Sequence, residues 1–375
     1  MADEKKRRSP LAVLLKVILK LVLIVLILAL GLIGFLSATE FKPADRAAVD
    51  VEGSATAVAL AEGDSFRIVS WNIGYGALGD NADFFMDGGT HVMTADENRV
   101  KLNMAGIFEG LAELDPDIVF LQEIDRDSSR SRHINEYELA QSILIGKQSA
   151  FANNFKVAFL PYPIPPMGKV DSGVATFSAY PVASAERVQL PIPFSWPVRM
   201  ANLKRCVLVS RVPLEGTDKE LVLMNLHLEA YDSGEGKIAQ TKQLRGFIED
   251  EYAKGNYVIA GGDFNQVFPG SLSIYPNTHE ENWKPGVLDA ELLPAGWALA
   301  YDSSTPTCRL LNQPYNPNDT QGTQHYVIDG VILSPNVELK SVETVDAGFE
   351  NSDHNPVKVA FALKSDVQNP ADATA

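Results

Sequence analysis

An uninterrupted run of 16 apolar residues, Leu21–Leu36, lies near the N-terminus and constrains this chain more than any other feature. A helix that is apolar on every side needs either an enclosing core or a hydrocarbon surround. Lys16 and Lys20 can lay their alkyl stems along the preceding turns, which extends the stretch to about 20 residues, enough to span a bilayer. Residues 1–36 carry six bases and two acids, so the other 339 residues hold −20 while the whole chain sums to −16. The flanking bases predict a cytoplasmic N-terminus and an acidic body outside. A cleaved signal peptide is the competing reading. Its apolar region usually runs to about 7–15 residues and ends at an A-x-A-like site, and the exit LSATEFKP has no clean A-x-A. A body this acidic repels phosphate backbones at long range and argues against counterion-release binding to nucleic acid. Two distant cysteines, Cys206 and Cys308, exclude a disulfide-dense scaffold and a Cys-based zinc cluster, and their spacing does not decide whether they pair.

Beyond the apolar run the chain divides by composition. Residues 1–10 form a basic cytoplasmic segment, 11–36 the anchor, 37–64 an Ala- and acid-rich tether, 65–364 a folded body and 365–375 a flexible tail. Within the body, β-type runs at 66–72, 117–123, 172–178, 204–212, 220–228, 256–262, 325–333 and 355–363 alternate with amphipathic helices at 97–114 and about 236–253. In the second helix Ile238, Leu244, Phe247, Ile248 and Tyr252 are expected to share the buried face. The pattern predicts an α/β fold with sheets covered by helices. The Pro-rich stretches 161–166 and 191–197 read as surface loops, the second offering Phe194 and Trp196 either to the body or to a membrane interface.

Several polar residues fall where a strand's alternation predicts burial. In ELVLMNLHL the face of Leu221 and Leu223 continues as Asn225 and His227. In DIVFLQE the face of Val119 and Leu121 ends in Glu123, and in RIVSWN the face of Ile68 and Ser70 ends in Asn72. Asp263 and Asn265 follow the apolar YVIA, Asp329 interrupts YVIDGVIL, and Asp353 and His354 precede the last strand. Taken singly, each has an ordinary explanation as a solvated end residue, a turn former or a core histidine. Taken together, carboxylates and amides at several strand ends suit a hard divalent cation, with a histidine left for proton transfer.

In order, the segments IVSWNI, IVFLQE, SGVATFSAYPV, LVLMNLHL, VIAGGDFN, VIDGVILS and SDHNPV resemble the endonuclease/exonuclease/phosphatase superfamily, the deoxyribonuclease I-like group, over about 67–363. The resemblance implies a four-layer α/β/β/α sandwich, here preceded by one transmembrane helix, and metal-dependent hydrolysis of phosphoesters. It implies that Glu123, Asn72 and Asp353 hold Mg²⁺, with Mn²⁺ or Ca²⁺ as alternatives. It further implies that Asp263 and Asn265 orient the attacking water and the phosphate, that His354 is general base or phosphate contact oriented by Asp329, and that His227 donates to a non-bridging oxygen with Asn225 in support.

Substrate selection is less legible. Gly330 follows Asp329 where the family often has an aromatic, and the loop GYGALGDNADFFMDGG matches no branch. Its G-x-G-x-x-G opens no apolar helix, so a dinucleotide fold is not expected. Asp80, Asp83 and Asp87 lack EF-hand spacing and read as a solvated acidic loop, a second cation site being the alternative. Arg126, Arg130, Arg132 and His133 follow Glu123 closely and Arg205 precedes a strand, so Arg130 and Arg205 are candidate phosphate contacts, with surface ion pairing as the alternative. These features predict a single-pass membrane phosphodiesterase acting on a phospholipid or its headgroup outside the cytoplasm. The alternatives are an extracytoplasmic nuclease of the same superfamily and a non-catalytic binding module, and no protein partner is evident. Protease added to intact cells is expected to trim the body, and full protection would reverse this orientation.

Overall fold

The central strands are apolar on both faces and therefore need cover on both sides. In the computed structural model, which describes residues 9–365 except 290, 292, 320 and 321, two sheets and their helices supply that cover. The expected tail and most of the expected cytoplasmic segment lie outside the described residues. In chain order, α1 (Pro10–Ala38) and β1 (Arg46–Val49) are followed by β2 (Ser65–Asn72), α2 (Glu97–Leu114), β3 (Ile118–Asp125) and α3 (Glu136–Ile143). Next come β4 (Gln148–Leu160), β5 (Gly168–Ser178), β6 (Ser184–Gln189), β7 (Cys206–Pro213), β8 (Glu220–His227), α4 (Glu235–Ala253) and β9 (Tyr257–Asp263). Short strands β10 (Gln266–Val267), β11 (Gly286–Val287), β12 (Ala298–Ala300), β13 (Cys308–Arg309) and β14 (His325–Tyr326) precede β15 (Asp329–Leu333), β16 (Val337–Thr344) and β17 (Val357–Leu363).

One sheet has the order β1-β6-β7-β8-β9-β15-β12 and the other β16-β17-β2-β3-β5-β4. Their facing surfaces interlock through Ile68, Phe120, Leu223, Ile259, Val331 and Val359. Helices α2 and α3 cover the outside of the second sheet through residues such as Met104, Ile107 and Tyr137, and α4 covers the first through Leu244 and Ile248. This is the α/β/β/α sandwich. Helix α2 begins at Asp96, whose side chain accepts from Arg99 N–H at 2.8 Å, and ends at Asp115 in the left-handed conformation.

Three expectations change. Residues 37–64 are no free tether: β1 pairs antiparallel with β6, Glu52 bridges to Ser149, and Leu60 is buried in the inter-sheet core. Ile238 is exposed and does not share the buried face of α4 with Leu244. The expected strand 325–333 is broken, because Ile328 and Asp329 both donate their N–H groups to Thr307 Oγ1, at 2.9 and 3.2 Å, instead of continuing one ladder. Strands β4 and β16 had no clear alternation in sequence; β4 mixes Ala and Asn among its aromatics, and β16 is an edge strand with mostly exposed residues.

A buried amide joins the two sheets. Asn225 on β8 donates to Leu121 O at 3.2 Å and Ala175 O at 2.8 Å, and accepts from Gln122 Nε2 at 2.8 Å. It is fully buried and its polar atoms are all used within the protein. Substitution Asn225→Ala would strand these buried groups and is expected to cost ~1–3 kcal/mol in denaturant unfolding, with KM for any turned-over ester unchanged.

Candidate active site

Strand register brings the polar residues together. Parallel β8 and β9 set His227 beside Asp263, and antiparallel β15 sets Asp329 beside the same Asp263. The three side chains therefore share the face of that sheet which meets the other sheet. Across the gap, β2 ends in Asn72, and His354 sits just before β17, its carbonyl accepting from Trp71 Nε1 at 2.8 Å.

Glu123 reaches this cluster only through a backbone irregularity. Val119 and Leu121 face the helices, so strict alternation would point Glu123 that way too. Instead the β3–β5 register shifts between Gln122 and Ile124, and Glu123 adopts φ 52°. This bulge turns the carboxylate inward, to 3.5 Å from Asn72 Nδ2 and 3.9 Å from His227 Nε2. A left-handed non-glycine residue costs about 1–3 kcal/mol, and Asn265, with φ 49°, is a second.

Hydrogen bonds fix the rest. Asn72 Nδ2 donates to Asp263 Oδ2 at 3.0 Å, while Asn72 Oδ1 accepts from Gly74 N–H at 3.1 Å. Gly74, at φ +51°, must lack a side chain because a Cβ would stand 2.9 Å from Asp353 Oδ1. Asn265 N–H donates to Asp263 Oδ1 at 2.8 Å, and its Nδ2 to Leu228 O at 2.9 Å. His354 Nδ1 lies 2.8 Å from Asp329 Oδ2, leaving Nε2 3.4 Å from Asn72 Nδ2 and 3.8 Å from Asp263 Oδ2. Glu123, His227, Asp263, Asn265, Asp353 and His354 line one cavity of about 370 Å³.

Burial sets the charge states. It pushes Asp263 up to about 7, with Asp329 adding to the effect, and Asp353 up to about 6. Burial also lowers the His354 imidazolium's stability, but the adjoining Asp329 carboxylate outweighs it and raises His354 well above its ordinary value. His227 is held well below its ordinary value by burial and by Arg205, so it is neutral.

The donor set fits a hard divalent cation. Carboxylates crowd the cavity and its surround: Asp87 in the wall and Asp329 bonded to His354 each keep a buried Oδ1 with no hydrogen bond among the described residues. Burial raises Asp87 to about 7, and Asp353 and Glu123 reinforce the shift. Concentrated uncompensated negative charge with oxygen donors is what Mg²⁺ or a similar ion relieves. Asp263, Asp329 and His354 offer ligand atoms within 4.8 Å of one another. However, the His354 Nδ1 and Asp329 Oδ2 atoms are already joined by a hydrogen bond, so this trio reads better as a carboxylate–histidine pair beside a carboxylate.

Some expected site residues have other work. Asn225 lies beneath the cavity and holds the sheets together, so its amide is not offered to substrate. Arg130 lines the cavity but is held by Asp125 in a two-point pair at 3.1 and 3.0 Å and stacks 3.6 Å above the Tyr75 ring. Arg126 sits over Tyr137 and Phe151, Arg132 donates to Ala95 O, and His133 pairs with Asp127. Arg205 is different: it lines the cavity, is almost fully buried, has the Glu229 carboxylate 3.9 Å from its Nε, and makes no hydrogen bond through Nε or Nη1 among the described residues. The space at Gly330 is not empty either, since the Phe268 ring lies 2.6 Å from where its Cβ would be. Asp87, read from sequence as one acid of a solvated loop, is in the cavity wall, whereas Asp80 pairs with Arg99 and Asp83 with His91. Both cysteines are buried and free.

Residues 69–354 match the Endonuclease/Exonuclease/phosphatase family. The chain belongs to that family. It is accordingly a hydrolase acting on phosphoric ester bonds, in a family whose members typically need a divalent metal. Its fold is similar to that of an endonuclease/exonuclease/phosphatase from Beutenbergia cavernae DSM 12333, with 18% identity, TM-score 0.53, and 80% of this chain and 72% of that one covered. It is also similar to ANGEL2, a 2′,3′-cyclic phosphatase, with 15% identity, TM-score 0.51, and 85% and 99% covered. No curated protein matches the chain.

A divalent cation entering this cavity would compete with protons held on Asp263 and Asp353. Raising pH through their values of about 7 and about 6 empties the competing proton sites. The rise in Tm on adding Mg²⁺ is therefore expected to be larger at pH 8 than at pH 5.5, and Glu123→Gln should shrink it at both; thermal scans with Mg²⁺ or EDTA check this.

Proposed function

We propose that this family member is a membrane-anchored, Mg²⁺-dependent phosphodiesterase working outside the cytoplasm, with Glu123, Asp353 and Asn72 around the metal. The inward turn of Glu123 toward the His227–Asp263–Asp329–His354 cluster carries the reading. A bound Mg²⁺ would draw charge from the phosphoryl oxygens. The rest falls to the chain's own groups. Asp263, held by Asn72 and by Asn265 N–H and raised to about 7, is suited to take a proton from the attacking water at neutral pH. His354, kept protonated by Asp329, presents Nε2–H to a non-bridging oxygen, and neutral His227 presents Nε2 on the other side of Asp263. Arg205, which lines the cavity, adds positive charge beside the same anion. Water oxygen bonds to phosphorus, the ester P–O bond breaks, and the leaving oxygen takes up a proton, giving a phosphomonoester and an alcohol.

Helix α1 supports the anchor. It has 29 residues, about 43 Å of helix, and nearly all of its apolar side chains are exposed. The bases before it favour a cytoplasmic N-terminus. We assign 65–364 as the catalytic unit, with residues 37–64 packed onto it. A lipid phosphodiester suits an acidic body at a membrane better than duplex DNA does.

The full chain in detergent, given bis-p-nitrophenyl phosphate, phospholipid, DNA or inositol phosphates with Mg²⁺, should hydrolyse diesters and stop on EDTA. His354→Ala and Glu123→Ala should each lower kcat/KM by about 10²–10⁴-fold. Unchanged rates in both variants would refute the catalytic assignment, and a preference for DNA would refute the lipid one.

A further inference from the structure

The catalytic cavity has a large apolar share in its lining. Phe85, Leu160, Tyr162, Phe194 and Leu203 line it together with the carboxylates and histidines. Two of these residues belong to loops that continue outward as exposed apolar tips. Residues 161–167, PYPIPPM, carry Tyr162 at 65% and Ile164 at 92% exposure; residues 191–198, PIPFSWPV, carry Trp196 at 57% and Val198 at 58%. Neither loop contains a charged residue, in a body that otherwise sums to −20 with the residues after 36. Large apolar groups gathered on one rim are uncommon on a soluble surface.

The exit of α1 lies on the same rim. Leu36 is buried, Ser37 Oγ contacts Met200 Sδ at 2.9 Å, and Glu40 pairs with Arg199 at 3.0 Å and with buried Lys204 at 3.8 Å. Residues 201–205, directly after this clamp, supply Ala201, Asn202, Leu203 and Arg205 to the cavity wall. So the short segment 199–205 both grips the end of the apolar helix and forms part of the site. A helix end held this way keeps the cavity mouth within a few residues of the bilayer surface rather than at the end of a flexible arm.

Resting on the phosphodiesterase and anchor readings above, we propose that the loops 161–167 and 191–198 dock into the bilayer leaflet where α1 ends, and that the apolar part of the lining receives the hydrocarbon part of a membrane-resident phosphoester lipid. The phosphate then meets Arg205 and His354 on the cavity floor while the chains lie between the loops. Apolar side chains with an aromatic at the headgroup level are suited to this position. Water-soluble headgroup esters would lack the contacts to this part of the lining.

The test uses the full chain in phosphatidylcholine nanodiscs whose acyl chains are brominated. Trp196 fluorescence is expected to be quenched relative to non-brominated discs, and Trp196→Tyr should remove the part of that difference owed to the loop, leaving any part from Trp283 in the cavity lining, since Trp71 is buried and Trp297 is partly covered by the body. Ile164→Asp and Trp196→Asp should lower phospholipid hydrolysis by roughly tenfold or more, from the lost insertion of one large apolar side chain. Turnover of bis-p-nitrophenyl phosphate by the same discs should stay within about twofold. Absence of quenching, equal loss on both substrates, or lipid hydrolysis untouched by either variant would overturn the proposal. A wild-type chain that hydrolyses no ester would instead sink the catalytic reading, while the quenching measurement would still decide the docking.

Discussion

The site depends on one backbone irregularity, the bulge that carries Glu123. The inter-sheet core places Phe120 and Gln122 inward and Val119 and Leu121 against α2 and α3, so a regular strand would bury Glu123 among helix-facing apolar groups. A carboxylate there would be costly to desolvate. Inserting the extra residue and a positive φ sends it instead to the strand ends where Asn72, His227 and Asp263 converge. The local strain is tolerated because the surrounding sheet is held by the Asn225–Gln122 bridge one layer below.

The same convergence creates an electrostatic imbalance. Asp87, Asp263, Asp329 and Asp353 share a buried region with Glu123 at its edge, and two of their oxygens have no protein partner. Pairing within the chain removes part of the imbalance: Asp329 is matched by His354, and Asp125 by Arg130. What is left over is negative charge that a divalent cation would offset, with Arg205 as a further positive group in the cavity lining for an incoming phosphate.

The segment after α1 joins that helix to the cavity. Its acids and small residues look in isolation like a linker, yet β1 completes the edge of the first sheet and Glu40 closes on Arg199 and Lys204. Burial pulls Lys204 down to about 8, with Glu40 opposing that shift. A rigid exit of this kind orients the body relative to α1, and a flexible one would not.

Much of the architecture could be read from residue order. The alternation in ELVLMNLHL and the 3.6-residue period of Glu97–Leu114 are local signals, and so are the apolar run before residue 36 and the GDFN and SDHNP segments. Local patterns carry such information because side-chain period and turn chemistry are set by near neighbours. Where each polar group points was decided only in three dimensions. Asn225 and His227 share a strand face, yet one spends its amide on the opposing sheet's carbonyls and the other reaches the cavity. Arg130 and Arg205 are both basic residues near strands, yet Asp125 grips the first in a two-point hydrogen-bonded pair while the second has its nearest carboxylate, Glu229, 3.9 Å from Nε. The Asn225–Gln122 bridge joins residues 103 apart and the Asn72–Asp263 bond residues 191 apart, and the Glu123 bulge is set by the pairing of β3 with β5; no local pattern encodes such contacts.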